Sequence, residues 1–212
     1  MIKLIEQINS LGIVPVVAIE DSEKAPSLGK ALVAGGLPCA EITFRTQAAG
    51  EAIRSMSRSY PEMLIGAGTV LTVAQAEQAL ACGAKFVVMP GYDDEVVDYC
   101  LKEEVPIVPG IATPTEINMA LKKGLEVLKF FPAEVMGGVN MLKAISGPYP
   151  NVKFIPTGGI DAGNLKDYLS LPQVIACGGS WMVAKKLINA GDFDAITRIT
   201  REAVTLVSEI RR

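Results

Sequence analysis

The chain has 212 residues, half of them hydrophobic and a fifth of them charged, which is enough apolar material for a sizeable core and excludes a disordered chain. The net charge is −3 with no basic run, so neither a nucleic acid nor a membrane surface is expected as a partner. The apolar stretch from Leu11 to Ile19 is too short to cross a bilayer and lacks the features of a signal peptide. We therefore expect a cytoplasmic protein.

The sequence contains no histidine, and its four cysteines lie far apart without a CxxC pair. Histidine is the commonest general base and the commonest metal ligand, so its absence removes His-dependent triads and the usual zinc sites. We expect neither a metal nor a cofactor. The widely spaced cysteines are expected to be free thiols in a reducing compartment, and they are Cys39, Cys82, Cys100 and Cys177.

Eight short apolar runs alternate with longer segments of helical periodicity. This order indicates a parallel sheet built from βαβ units, and eight units predict a (β/α)8 TIM barrel preceded by a short helix at Met1–Ser10. With fewer units, a doubly wound open sheet is the alternative. The chain has no linker, so 1–212 is predicted to be one domain. The predicted strands are Ile13–Ile19, Cys39–Phe44, Met63–Gly66, Phe86–Met89, Pro106–Val108, Val127–Phe131, Lys153–Pro156 and Val174–Cys177.

The helical segments between these runs begin after residues that favour an N-cap, and several end at glycine. Asp or Thr before the first turn and Gly after the last turn are the expected caps. The predicted helices are Glu23–Ala34, Gln47–Arg58, Val73–Ala81, Glu95–Glu103, Thr115–Lys123, Ala162–Ser170, Met182–Ala190 and Asp194–Ile210.

One lysine interrupts an apolar strand. Lys129 stands in the middle of Val127–Phe131, whereas Lys85 and Lys153 open their strands and the other lysines lie in helical or loop patterns. Burial of an unpaired ammonium is costly, and imine formation with a carbonyl requires the neutral amine that burial favours. The pattern alone leaves two alternatives open: a Schiff-base lysine, or a lysine that snorkels or pairs with a carboxylate.

Three polar residues share one face of the second strand. Glu41, Thr43 and Arg45 alternate with hydrophobic residues, so we expect them to point into the mouth of the barrel. A carboxylate there can transfer protons, and an arginine at the strand end can bind a substrate carboxylate with two hydrogen bonds. An internal Glu41–Arg45 ion pair or an exposed edge strand would give the same pattern.

Glycine-rich loops follow three strands. Thr69 comes after Ala67-Gly68, where a hydroxyl would lie at the catalytic end, although such a turn is common. The segments 156–161 and 177–180 follow the last two strands, and barrels often bind phosphate with these loops through backbone N–H groups. Each loop alone is more often a turn, but together they predict a phosphate site.

At these residues the sequence closely resembles the 2-keto-3-deoxy-6-phosphogluconate (KDPG) and 4-hydroxy-2-oxoglutarate (KHG) aldolases. The resemblance runs from about Ile13 to Val207. It is carried by E-I-T-F-R-T (41–46), G-A-G-T-V-L (66–71), M-P-G (89–91), P-G-I-A-T-P-T-E (109–116), K-F-F-P-A-E (129–134), P-T-G-G-I (156–160) and G-G-S-W (178–181).

The resemblance implies a metal-free class I aldolase, usually a homotrimer, that cleaves KDPG to pyruvate and glyceraldehyde 3-phosphate and often cleaves KHG to pyruvate and glyoxylate. The family's Schiff-base lysine falls on Lys129 and its general acid/base on Glu41. The remaining family roles fall on Arg45 and Thr69 for the pyruvate carboxylate, Pro90 and Phe131 for the pocket wall, and Thr157, Gly158, Gly159, Gly179 and Ser180 in the phosphate loops.

Two positions depart from the family pattern. Met89 stands where many members have serine, and the first strand ends at Glu20 without the basic residue of some relatives. The second departure leaves the balance between KDPG and KHG open.

Three alternative functions are considered, and each is less consistent with the sequence. Cleavage of the C4 epimer of KDPG, 2-keto-3-deoxy-6-phosphogalactonate, is less well matched because Phe44-Arg45 would be expected to read Leu-Asn. A phosphate-binding isomerase or synthase has no need for Lys129. A catalytically silent scaffold has no reason to keep Lys129, Glu41 and Arg45.

Overall fold

The sheet consists of short parallel strands. The computed structural model describes residues 2–212, with side chains from Leu4 onward, so Met1 of the predicted first helix lies outside the described residues. Every strand pairing is parallel, which requires a crossover between neighbouring strands. The strands are β1 (Ile13–Val17), β2 (Cys39–Thr43), β3 (Leu64–Gly68), β4 (Val87–Val88), β5 (Ile107–Val108), β6 (Gly110–Ile111), β7 (Val127–Phe130), β8 (Lys153–Phe154) and β9 (Cys177–Gly179).

These strands form a curled six-stranded sheet and a three-stranded sheet. The first has the order β5-β4-β3-β2-β1-β9 and the second the order β6-β7-β8. Only Pro109 separates β5 from β6, and its carbonyl accepts a hydrogen bond of 2.9 Å from the Lys129 amide. Proline has no N–H to continue the ladder, so the extended segment breaks at Pro109: β5 matches the predicted strand Pro106–Val108, and β6 beyond it was not predicted.

Except for the first, which lies at one end of the sheet, the helices cover the outer face of the sheets. Two short 3-10 turns, Ser22–Lys24 and Trp181–Val183, come before the second and ninth helices. The helices are α1 (Ile2–Leu11), α2 (Ala25–Ala34), α3 (Ala49–Ser59), α4 (Val73–Ala81), α5 (Asp94–Lys102), α6 (Pro114–Lys122), α7 (Gly138–Ser146), α8 (Leu165–Leu169), α9 (Lys185–Ala190) and α10 (Phe193–Ile210).

Polar side chains fix where several helices begin. Thr72, Asp93 and Asp192 accept hydrogen bonds from the first-turn amides of α4, α5 and α10. At α6 the Glu116 carboxylate accepts the Thr113 amide at 2.8 Å, which completes a capping box. These bonds satisfy amides that have no partner within the helix.

Apart from the unpredicted β6, most predicted elements match the structure within a few residues, with two further exceptions. Helix α7 was not predicted, because the glycine pair at its start, Gly137 and Gly138, reads as a loop. The last strand lies later than the predicted Val174–Cys177: the ladder runs over Cys177–Gly179, and Val174 forms only an isolated bridge with Phe154. The glycines are part of the strand because they pair with β1.

Two groups of buried side chains make up the core. The larger group lies between the strands and the helices. The smaller group lies inside the curled sheet, near the N-terminal ends of the strands, where Leu4 and Ile8 of α1 pack against Val14, Phe86 and Ile155. Helix α1 therefore covers the end of the sheet opposite the loops that follow the strands. Among residues 2–212 no helix is both long and apolar enough to cross a membrane.

Candidate active site

Two oppositely charged side chains meet inside the curled sheet. Lys129 on β7 and Glu41 on β2 are 2% and 3% exposed, and Nζ of Lys129 lies 3.3 Å from Oε1 of Glu41. Side chains alternate along a strand, so the apolar neighbours of both residues face the helices while these two face inward. A buried amine beside a carboxylate provides a nucleophile and a group that can exchange a proton with it.

The space for the Glu41 carboxylate depends on a glycine. In the β2–β3 ladder Thr43 pairs with Gly68, and a Cβ at Gly68 would overlap the Glu41 carboxylate. The neighbouring strand must therefore carry a residue without a side chain at this position. Gly68 thus permits the inward position of Glu41.

The amine of Lys129 lies between an aromatic ring and a small cavity. Nζ lies 5.2 Å from the centre of the Phe131 ring, close enough for a cation–π contact. Below it, a cavity just large enough for one water is lined by Glu41 and Lys129 together with apolar side chains such as Val14 and Phe86. The pair is thus enclosed by low-polarity groups, which strengthens the electrostatic interaction between them.

Arg45 and Thr69 form a second polar pair, at the C-terminal ends of β2 and β3. Nε of Arg45 donates a hydrogen bond of 3.2 Å to Oγ1 of Thr69, and Arg45 is exposed. Thr69 has a φ of 55°, in the left-handed region that is unfavourable for a β-branched residue. Such strain clusters at functional sites, and here it points the hydroxyl toward the guanidinium.

A cavity of about 530 Å³ opens at this end of the sheet. Seven of the predicted site residues line it. Thr157 lines both this cavity and the small one below, so the two meet at that residue. The seven predicted residues are Arg45, Phe131, Thr157, Gly158, Gly159, Gly179 and Ser180.

The two glycine loops lie side by side on this cavity. Gly158 and Gly159 have φ values of 101° and 79°, which only glycine adopts readily. Thr157 forms a bridge with Gly178, and a Cβ at Gly178 would overlap the Thr157 hydroxyl. The absence of side chains at these glycines leaves room for a ligand to approach the backbone.

A buried tyrosine holds the first loop from behind. The Tyr168 hydroxyl donates a hydrogen bond to the Glu134 carboxylate, and burial raises the pKa of Tyr168 above its usual range. The Glu134 amide in turn donates to the Gly158 carbonyl at 3.1 Å. The Tyr168–Glu134 pair therefore supports the position of the loop without lining the cavity.

Two predicted site residues lie outside both cavities. Thr69 reaches the larger cavity only through its hydrogen bond with Arg45. The Pro90 carbonyl packs against Gly110, so closely that no side chain fits there. Conversely, Lys185 and Trp181 line the cavity but were not among the predicted site residues. Their position just after the last strand was the available signal, but Lys185 was counted among the lysines that lie in helical patterns.

The four cysteines are buried free thiols. Burial raises the pKa of Cys39 and Cys177 above the usual thiol range and that of Cys100 to about 11. The thiols of Cys39, Cys100 and Cys177 are therefore neutral near pH 7, unlike activated nucleophilic cysteines. Within residues 2–212 no group of three or more His, Cys, Asp or Glu side chains is placed to hold a metal ion.

The chain matches known proteins along most of its length. The KDPG and KHG aldolase family model covers residues 4–199. A 2-dehydro-3-deoxy-phosphogluconate aldolase of Treponema pallidum is 49% identical over 207 residues, with 98% of this chain and 99% of the relative covered. The KHG/KDPG aldolase of Escherichia coli K12 is 44% identical, with 91% and 90% covered.

The same similarity is found among solved structures. A Legionella pneumophila KDPG aldolase, solved with pyruvate captured as a covalent carbinolamine intermediate, superposes with a TM-score of 0.91. It is 40% identical, and the match covers 94% of this chain and 97% of that one. The chain therefore belongs to the KDPG and KHG aldolase family, whose members are carbon–carbon lyases.

Proposed function

We propose that this chain cleaves KDPG to pyruvate and glyceraldehyde 3-phosphate through a Schiff base on Lys129, and that it also cleaves KHG to pyruvate and glyoxylate. The observation that carries the proposal is the buried pair of Lys129 and Glu41, 3.3 Å apart. The names of the Treponema pallidum and Escherichia coli relatives support the two substrates. The chemistry needs neither a metal nor a cofactor, since the lysine itself activates the ketone.

The reaction begins with proton transfer within the pair. Glu41 accepts a proton from Lys129, and the neutral amine attacks the C2 ketone to form a carbinolamine. Glu41 then donates a proton to the departing hydroxyl, and loss of water gives a protonated imine. Because the carboxylate is in hydrogen-bonding range of the amine, one group can perform both transfers.

The carbon–carbon bond breaks in the next step. Glu41, directly or through a water, takes the proton of the C4 hydroxyl, the C3–C4 bond breaks, and its electron pair moves to the iminium nitrogen. The aldehyde leaves, and an enamine remains on Lys129. Protonation at C3 and hydrolysis of the imine then release pyruvate and restore the free amine.

The other site residues orient the substrate. Arg45, held by Thr69, binds the carboxylate next to the ketone, since a guanidinium can donate two parallel hydrogen bonds to it. Phe131 excludes water from one side of the imine. Pro90 lies outside both cavities and shapes the pocket indirectly, by packing against Gly110, the residue that pairs with Lys129 in the ladder. The loops with Thr157, Gly158, Gly159, Gly179 and Ser180 bind the phosphate through backbone amides and the serine hydroxyl.

We further propose that the two sheets form one closed (β/α)8 barrel and that 1–212 is a single domain. The bridges between Phe154 and Val174 and between Thr157 and Gly178 join the ends of the two sheets, and β5 runs directly into β6. A homotrimer in the cytoplasm is the proposed assembly and location. The buried free thiols fit a reducing compartment, and light scattering would measure the assembly.

Borohydride trapping tests the proposal. The protein is incubated with pyruvate, reduced and digested, and the modified lysine is identified by mass spectrometry. The expected adduct is on Lys129, with none in Lys129→Ala and an unchanged adduct in the control Lys153→Ala. Because loss of one partner of a buried ion pair destabilises a protein by about 3–5 kcal/mol, the folding of Lys129→Ala is checked by circular dichroism. An adduct on another lysine would refute the assignment.

Pyruvate release from KDPG, KHG and 2-keto-3-deoxy-6-phosphogalactonate, measured with EDTA present, separates the alternatives. We expect release from KDPG and KHG. Release from the galactonate alone would favour the C4-epimer aldolase, and no release from any of the three would favour a silent scaffold. Loss of activity with EDTA would contradict the Schiff-base mechanism.

A further inference from the structure

The large cavity has positive charge at two places. Among the described residues that line it, the charged side chains are Arg45 and Lys185. Arg45 follows β2 and contacts Thr69, whereas Lys185 opens α9, five positions after Ser180 in the second glycine loop. The two cations therefore belong to different loops, and the loop that is proposed to bind phosphate through neutral amides has one lysine close behind it.

Lys185 is held in an ion pair at the rim of the cavity. Its Nζ lies 2.6 Å from Oε1 of Glu20, and the two side chains are 55% and 50% exposed. Oε2 of Glu20 accepts a hydrogen bond of 3.0 Å from Asn189, whose carbonyl accepts one from Lys24 at 2.7 Å. The hydrogen bond from Lys185 lowers the pKa of Glu20, so the carboxylate is charged at neutral pH.

An exposed ion pair of this kind is easily exchanged. Such pairs contribute little to stability, since water screens both charges and two long side chains must be held in place. A phosphate monoester carries a charge of about −1.5 to −2 and three strong acceptor oxygens, more than one carboxylate offers. Once a phosphate is bound by the glycine loops, it can replace Glu20 as the partner of Lys185.

We propose that Lys185 binds the terminal phosphate of the substrate after releasing Glu20, and that this exchange favours phosphorylated over unphosphorylated keto acids. The inference rests on the proposed function and names a residue of its phosphate site. With a phosphorylated substrate, the interaction between Lys185 and the phosphate offsets the loss of the Glu20 ion pair. KHG has no phosphate and a shorter carbon chain, so it leaves the pair intact and gains nothing from Lys185.

Removal of the Lys185 charge tests the proposal, with the neighbouring lysine as a matched control. In Lys185→Met the KM for KDPG is expected to rise about tenfold, as for the loss of one partly exposed charge-assisted hydrogen bond, while kcat stays within about twofold. The KM for KHG is expected to stay unchanged. Lys186→Met removes an exposed charge one position along the chain, at a residue that does not line the cavity, and is expected to leave both substrates unaffected. Lys185→Arg is expected to restore most of the KDPG affinity.

Substitution of Glu20 should change the KM for KDPG in the opposite direction to substitution of Lys185. In Glu20→Gln the competing carboxylate is gone, so the KM for KDPG is expected to fall about two- to threefold. In the double variant Glu20→Gln/Lys185→Met the Glu20 substitution is expected to have no effect on KM, because the lysine it releases is missing. Inorganic phosphate, used as an inhibitor of KHG cleavage, is expected to bind about tenfold more weakly to Lys185→Met than to the wild type.

The outcomes separate the two proposals. If the wild-type protein cleaves neither KDPG nor KHG, the proposed function fails. If it cleaves both and Lys185→Met has an unchanged KM for KDPG and an unchanged affinity for inorganic phosphate, the role of Lys185 is refuted while the function stands. An equal rise in the KM for KDPG and the KM for KHG would likewise refute the role of Lys185, since the effect would not depend on the phosphate.

Discussion

Lys129 and Glu41 form a buried ion pair, 3.3 Å apart, between strands of two different sheets, β7 of the three-stranded sheet and β2 of the six-stranded sheet. Removing two charges from water costs several kcal/mol per ion, and their attraction often does no more than offset that cost. Such a pair is a weak source of stability compared with two apolar side chains of similar size. Its position at the base of the cavity is therefore explained by chemistry better than by folding.

Glu41→Gln should separate imine formation from turnover. The amide keeps the size of the carboxylate but cannot accept a proton, so we expect kcat to fall by ~10²–10⁴-fold. Trapping of pyruvate by borohydride should persist at a lower rate, because the amine of Lys129 is still present. A variant with full turnover would show that another group transfers the protons. Glu51→Gln, in an exposed ion pair with Arg54, is the control and should keep wild-type kcat.

Gly68→Ala should damage the site by displacing Glu41. The added methyl group overlaps the Glu41 carboxylate, and a displacement of this size can reduce kcat by about 10²-fold. Overpacking should also lower the free energy of unfolding by about 1–3 kcal/mol. Steady-state kinetics and urea unfolding measure the two effects. Gly147, at the exposed end of α7, lines neither cavity, so the control Gly147→Ala should keep the wild-type kcat. An equal loss of kcat in this control would indicate a general effect on folding.

Arg45→Lys should weaken carboxylate binding while the positive charge is kept. A lysine cannot donate two parallel hydrogen bonds from one planar group. It also lacks the Nε–H group that donates the hydrogen bond from Arg45 to Thr69. We expect the KM for both KDPG and KHG to rise about tenfold, since the carboxylate beside the ketone is common to them. This shared effect contrasts with the phosphate-specific effect expected at Lys185. Arg54→Lys, on the outer face, should change neither KM.

Stability should fall at alkaline pH because of the buried thiols. Burial raises the pKa of Cys100 to about 11, while the same thiol in the unfolded chain ionises near its ordinary value of about 8.5. Between these values the unfolded state binds fewer protons than the folded state, so the free energy of unfolding decreases as the pH rises. Urea unfolding at pH 7.5, 9 and 10 measures this decrease, which should be smaller in Cys100→Ala. An identical pH dependence in that variant would contradict the assignment.

The sequence was sufficient for the order of most elements, β6 and α7 excepted, and for the central residues. Alternation along β2 predicted that Glu41 and Arg45 face the cavity, and the isolated lysine in β7 predicted an unusual buried charge. The pattern alone could not place Lys129 beside Glu41, because the two are 88 positions apart and meet only when the sheet curls. Family resemblance, rather than periodicity, favoured the Schiff-base role of Lys129 over a lysine that snorkels or pairs with a carboxylate.

Other features depend on tertiary contacts that leave no pattern in the chain. Gly137-Gly138 reads as a loop, yet a helix follows directly because its apolar side chains pack on the core. The left-handed backbone of Thr69 is unexpected for threonine and arises where β3 ends beside Arg45. Lys185 looked like any exposed lysine until the fold placed it on the cavity.

The contact between the two ends of the chain has a practical consequence. The Arg211 guanidinium, just after α10, donates hydrogen bonds to the carbonyls of Asn9 in α1 and of Ile175. Both terminal helices thus meet at the end of the sheet that α1 covers, and the large cavity opens at the other end. A protein anchored to a solid support through an exposed residue of α1 or of the end of α10 would present that cavity to the substrate solution. Anchoring through an engineered cysteine near Ser180 should instead block it, and comparison of the two immobilised preparations would measure the difference.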